Sequence, residues 1–365
     1  MLINRNVLFA LAILFTQQTF AQDAFKAMPH LFTPPKNYVA TFATKEPKID
    51  GDLNDAVWQK AAWTDEFVDI EGDLKPKPHM STKLKMLWND SCLFVAVQMQ
   101  EPHLWANLTK HDDVIYNDND FEIFVAPNND TRNYFEIEVN QRNKIFDLFL
   151  PKPYRDGGDA LIAWDAAGMK SAVKLQGTLN KSGDTDKGWT VEFKIPFKAI
   201  TMGFGRGIPT EGSQWRINFS RVEWDTDIKD GKYVKQTDSN GKNLPERNWV
   251  WSPQGIISMH MPERWGYLQF TRKASAEGIT VKTPYADLQK QYLWLVYYSQ
   301  QQYFREHHSY ANNLADLGIS LSSYEIEGVK NTLYVEGGKY YFSANITDGK
   351  GKVWVINNVG MLQGR

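Results

Sequence analysis

The chain has 365 residues, with 41 basic and 43 acidic side chains, 42% apolar content and a 13% aromatic share. The length allows two domains at about 100–200 residues each. The near-cancelling charge leaves no basic footprint for nucleic acid and no polybasic patch for a membrane surface. The single cysteine, Cys92, lies in an apolar run, where it excludes an internal disulfide and reads as a buried small hydrophobe.

In residues 1–21, Arg5 precedes an apolar run over 7–15, and Thr19-Phe20-Ala21 ends on a small residue. The run is too short to cross a bilayer and has the layout of a secretory signal. The segment is predicted to be a signal peptide cleaved after Ala21, leaving a secreted or periplasmic protein with no transmembrane segment. Residues 22–40, punctuated by Pro29, Pro34 and Pro35, show no periodicity and read as an extended lead-in. At 48–58, Asp50, Asp52 and Asn54 imitate a calcium loop, but Asp55 and Ala61 stand where its glycine and closing glutamate belong. A turn with Trp58 as a core anchor is expected instead.

Strand patterns then recur about every ten residues: 83–88, 92–99, 121–125, 135–140, 145–150, 173–179, 188–197, 215–224 and 249–270. Such spacing, with turn signals between, predicts a mainly β chain whose larger part, 41–272, is an antiparallel β-sandwich. The polar stretch 225–247 reads as a long loop. Composition changes after Arg272, and 273–365 is predicted to be a small α+β domain. Helical spacing over 284–318 ends at Gly318, and strands follow at 333–335, 340–346 and 352–357. One helix on an antiparallel sheet is the expected arrangement.

The stretch 112–140 carries the chemistry. Phe121, Ile123 and Val125 alternate with Glu122, and Phe135, Ile137 and Val139 with Glu136, Glu138 and Asn140. A period of two sends the apolar set to a core and the polar set to the other face. The Pro-Asn-Asn-Asp turn at 127–130 lets the strands pair, bringing Glu122 near Glu136 or Glu138, with Tyr116 just before them. A ring beside a row of acceptors suits a sugar: an apolar face for the pyranose and carboxylates for its hydroxyls. Asp112, Asp113, Asp118 and Asp120 either chelate calcium together with backbone carbonyls or cap a solvated turn.

The runs IDGDLNDAVW, LWNDSCLFVAV, YNDNDFEIFVAP, YFEIEVN, GWTVEFKIPF, INFSRVEW and ERWGYLQF, in this order within residues 41–270, resemble the family 9 carbohydrate-binding modules, especially their secreted bacterial stand-alone relatives. The resemblance implies a β-sandwich that clamps a terminal sugar between two aromatic rings, and structural calcium. By position it puts Tyr116 where one clamp tryptophan stands, Glu122 at the family's glutamate and Asn140 at its amide, while Glu138 replaces an arginine. The second clamp tryptophan is replaced by Met259, and Trp251 or His260 is expected to stand in for it. The helix YYSQQQYFREHHSYANNLADLGI is similar to the helix end of pilin-like domains, without their N-terminal membrane helix.

Two other classes compete with sugar binding. Glu122, Glu136 and Glu138 offer carboxylates for a glycan hydrolase, but no nucleophile elbow, zinc-protease motif, phosphate loop or dinucleotide fingerprint is present. The seven histidines form no ligand spacing. A non-catalytic scaffold, with a protein partner on the C-terminal domain, is the third class.

Overall fold

The computed structural model describes residues 28–203 and 207–365. The expected signal peptide, residues 1–21, lies outside them. The chain divides into two compact units. The larger is residues 34–281; the smaller joins 282–365 to the described residues 28–33 at the front of the chain. Among the described residues, no helix is long and apolar enough to cross a membrane.

The larger unit carries strands β1 (Asn37–Phe42), β2 (Val68–Asp69), β3 (Thr82–Trp88), β4 (Cys92–Gln100), β5 (Asp120–Ala126), β6 (Tyr134–Asn140) and β7 (Ile145–Leu150). It continues with β8 (Lys170–Gln176), β9 (Gly188–Pro196), β10 (Gln214–Glu223), β11 (Thr226–Lys229), β12 (Lys232–Lys235), β13 (Arg247–Val250) and β14 (Gly266–Thr271). One sheet runs in the order β7-β6-β5-β10-β14-β1-β3-β4-β9-β8, with β13 added to β10 and β2 to β13. Pairing is antiparallel except around β1, which runs parallel to both β14 and β3. The expected sandwich is thus one sheet curled on itself. Strands β5 and β9 stand six places apart, roughly 29 Å in a flat sheet, yet Phe121 and Phe193 bring their ring centroids to 6.2 Å.

Alternation builds the core between the two halves. Phe121, Ile123 and Val125 of β5 and Phe135, Ile137 and Val139 of β6 meet Leu93, Val95 and Val97 of β4 and Val191 and Phe193 of β9. Trp58 is fully buried in a separate cluster, its indole N–H donating to Glu192 Oε1 at 2.6 Å. Glu192 also accepts from the backbone N–H groups of Asp50 and Gly51, so the aspartate-rich turn is tied to β9.

A second layer covers the other face of β5–β7. Ile70, Val250, Met259 and Trp265 pack on Phe124, Tyr134, Leu148 and Leu150. Every residue of β5 and β6 is consequently buried, whereas alternation alone assigns their polar set to an outer face.

In the smaller unit, helix α1 (Tyr285–His307) lies on the antiparallel meander β15 (Ser323–Ile326), β16 (Val329–Gly337), β17 (Phe342–Thr347), β18 (Trp354–Asn357) and β19 (Leu362–Gly364). Leu293, Val296 and Tyr297 share a core with Leu333, Val335, Phe342 and Ile346. The helix stops well short of Gly318, because His308 adopts φ 53° and donates its N–H back to the Phe304 carbonyl. Gly318 ends a later 3-10 turn, Ala315–Leu317. Met28 and Leu31, expected in an extended lead-in, pack into this core from the 3-10 turn Pro29–Phe32.

Candidate functional site

The β5–β6 register pairs Glu122 with Glu138 and Asp120 with Asn140, and Glu122 faces Ser220 of β10 on its other side. Directly paired residues share a face, so Asp120, Glu122, Glu136, Glu138 and Asn140 form one polar row beneath the second layer. None of the four acids is more than 6% exposed. Burial pushes the Glu122 carboxyl up to about 7. Asp120, Glu136 and Glu138 rise well above the usual carboxylate range, first through burial and next through the Glu122 charge. Asp120 Oδ2 and Glu136 Oε2 are buried with no hydrogen-bond partner. Buried acceptors of this kind are costly until a donor or a cation meets them. One oxygen from each of Asp120, Glu122 and Glu138 fits within 4.8 Å, a spacing that a cation can bridge.

The loop ahead of β5 brings an aromatic ring to this row. The Tyr116 N–H donates to Glu138 Oε2 at 2.9 Å, and the Tyr116 carbonyl accepts from Trp224 Nε1 at 2.8 Å. The tyrosine remains 41% exposed. Asp118 anchors the same loop, accepting from the N–H groups of Asn107 and Leu108 and from Asn140 Nδ2.

Several expected site residues stand elsewhere. The Asn140 amide is fully engaged: Nδ2 donates to the Leu108 carbonyl and Asp118, and Oδ1 accepts from the N–H groups of Arg142 and Lys144. It holds the loop and has no hydrogen-bonding capacity left for a sugar. Trp251 is 2% exposed and packs in the main core, 5.9 Å from Phe219. A Cβ on Gly266 would lie 2.4 Å from its ring. It is a core anchor and supplies no wall to a site. Met259 likewise packs into the second layer.

His260 is half-buried, with Nδ1 2.9 Å from the Tyr134 hydroxyl and the ring edge-on to Tyr154 at 4.6 Å. Burial, and then the charge of Arg155, lower its pKa to about 4. The imidazole therefore backs Tyr154, a residue that sequence reasoning missed. Tyr154 is 46% exposed. Its phenol is pushed up to about 12 by burial first, and then by the charges of Glu136, Glu138, Asp159 and Tyr116. Two exposed tyrosines thus lie within electrostatic reach of each other and of the carboxylate row. Nothing in the Pro-Tyr-Arg-Asp-Gly-Gly loop signals this, because only the fold returns it to β6.

The four aspartates expected to share calcium do not converge. Asp113 caps the N–H groups of Thr109 and Lys110, Asp118 holds the loop, and Asp120 belongs to the buried row. Asp112 joins His111, Asp147 and Asp165. A further buried network was invisible in the sequence: Arg221 bridges Glu101 at 3.0 Å and Glu223 at 2.9 Å beneath Trp249.

The family model for carbohydrate family 9 binding domain-like proteins matches residues 49–268. The chain belongs to this family. The match spans β2–β13 and the carboxylate row, and stops inside β14. Among curated relatives, the chain is similar to Exoglucanase XynX of Acetivibrio thermocellus, 27% identical over 219 residues, which are 60% of this chain and 16% of that protein. It is also similar to Endo-1,4-beta-xylanase A of Thermoanaerobacterium saccharolyticum, 27% identical over 167 residues, 46% of this chain and 12% of the relative. The matched region is therefore a small fraction of each relative's length. Among solved structures it is similar to a family 9 carbohydrate-binding module from Caldicellulosiruptor kristjanssonii in complex with cellotriose. That likeness has a TM-score of 0.40 and 16% identity, covering 68% of this chain and 100% of the other.

Proposed function

We propose that the larger unit binds a sugar, at the end of a glycan, without altering it. Tyr116 supplies an apolar ring face, Tyr154 the facing wall, and Glu122, Glu136 and Glu138 accept hydrogen bonds from the sugar hydroxyls. Membership of a carbohydrate-binding family supports sugar as the ligand class. The observation that carries the site is the Tyr116 N–H bond to Glu138, which fixes an exposed ring at the end of a buried acceptor row. A sugar brings several O–H donors at once, which is what the unpartnered oxygens of Asp120 and Glu136 lack. Ring stacking contributes about 0.5–1.5 kcal/mol, and each hydrogen bond about 0.5–1.5 kcal/mol.

The test is calorimetric titration of the mature protein with a panel of mono- and oligosaccharides, with the mixtures analysed for product. Saturable heat without product supports the proposal. Turnover would transfer the function to the carboxylates as a hydrolase, and silence across the panel would contradict sugar binding. Export is part of the same proposal, supported by the pattern of residues 1–21. Mass spectrometry of the protein recovered outside the cytoplasm should give a chain beginning at Gln22.

A further inference from the structure

A second cluster lies apart from the carboxylate row, where three segments meet at sheet edge β7. His111 Nε2 lies 2.8 Å from Asp165 Oδ1, 3.5 Å from Asp112 Oδ1 and 3.8 Å from Asp147 Oδ1. The other ring nitrogen, Nδ1, is 3.0 Å from the Ile145 carbonyl, which can only accept. Nδ1 therefore carries a proton, and Nε2, hydrogen-bonded to Asp165 when it too is protonated, turns its lone pair to the three carboxylates once a cation displaces that proton. A backbone carbonyl fixing the ring this way is the usual support of a metal-binding histidine.

Asp147 gives the independent indication. It is 2% exposed and sits in β7 between Ile145 and Phe149, on the side whose neighbours pack against the main core. One oxygen accepts from the Ala166 N–H at 2.6 Å, while Oδ1, aimed at His111, is buried with no hydrogen-bond donor. A protonated ring does not resolve this, because one Nε2–H serves one acceptor, and Asp165 is nearest. A cation serves all four ligand atoms at once.

We propose that His111, Asp112, Asp147 and Asp165 bind a divalent first-row transition cation of the zinc class. Ligands about 2.0–2.2 Å from a tetrahedral zinc ion stand roughly 3.3–3.6 Å apart, and the separations from Nε2, 2.8 to 3.8 Å, bracket that spacing. The imidazole discriminates against calcium and magnesium, which favour oxygen ligands. His111 and Asp165 side chains are 55% and 66% exposed, so an ion enters from solvent. Once bound it ties the loop that carries Tyr116 to β7 and to the loop holding Asp165.

The experiment is calorimetric titration of the chelator-treated full chain with zinc chloride, in the absence of sugar, for wild type, His111→Ala and Asp165→Asn. Both variants alter exposed side chains, and melting curves without metal report the loss of the His111–Asp165 contact separately from zinc affinity. One saturable equivalent of zinc is expected, at least tenfold weaker in each variant. Absence of saturable heat would overturn the assignment, as would equal affinity in all three proteins. Calcium binding as tightly as zinc would overturn the class of ion.

Discussion

Glu122 stands opposite Glu138 across the β5–β6 pair, and neither side chain reaches solvent appreciably. Like charges directly opposite on a sheet destabilise it, and burial disfavours the ionised form of each. Both effects raise the carboxyls of the row, so that ionising them together is disfavoured.

Glu122→Gln should therefore stabilise the unliganded protein at pH 8. Its folded pKa, pushed up to about 7, lies above the ordinary 4.5. The folded state retains this proton where the unfolded chain has released it, so the contribution is complete below about pH 4.5 and is lost as pH rises through 7. The amide removes that loss, and Tm at pH 8 should rise by roughly 2–4 °C per kcal/mol relieved. Thermal melts from pH 4 to 8 provide the check; a lower Tm for the variant at pH 8 would contradict buried repulsion.

His260 titrates with the opposite slope. Its pKa, lowered to about 4, lies below the ordinary 6.5. Its stabilising contribution is present above pH 6.5 and lost as pH falls through 4. His260→Gln keeps an acceptor for the Tyr134 hydroxyl and should flatten the acid limb of the Tm–pH curve between 6.5 and 4. An unchanged limb would show that other groups govern it.

Asn140→Ala should lose both stability and sugar affinity. It leaves buried Asp118 without one donor and frees the loop that presents Tyr116. Leaving a buried polar partner unmet costs about 1–3 kcal/mol. Denaturant melts and glycan titration of the same sample separate the two effects. Full affinity in a destabilised variant would show that the loop holds its place without the amide.

Trp251→Ala tests the reassignment of that ring. As a core side chain its truncation should cost about 3–5 kcal/mol. Sugar affinity measured well below the melting temperature should change less than twofold. A large affinity loss at unchanged stability would return Trp251 to the site.

What the sequence revealed and what it hid follow from the range of the forces involved. The alternation in 121–125 and 135–140 and the turn at 127–130 are local, and they limit the partner of Glu122 to Glu136 or Glu138, of which the register selects Glu138. The cover over that row comes from Ile70, Met259 and Trp265, far along the chain, so no window around residue 130 reveals that the acids are buried. Trp249-Val250-Trp251 alternates between faces, yet all three are buried, because this region has core on two sides: both tryptophans pack in the main core and Val250 in the second layer. His111, Asp147 and Asp165 span 54 residues, and only the β6–β7 hairpin and its following loop bring them together.

The central claim is that a sugar sits over the carboxylate row between Tyr116 and Tyr154. The most direct measurement is side-by-side titration of wild type, Tyr116→Ala and Tyr154→Ala with whichever sugar gives the largest heat in the panel. Each ring face is worth about 1 kcal/mol, so each variant should bind roughly five- to tenfold more weakly, and Tm measured on the same samples separates loss of the Tyr154–His260 contact from loss of affinity. Wild-type affinity in both variants would contradict the site.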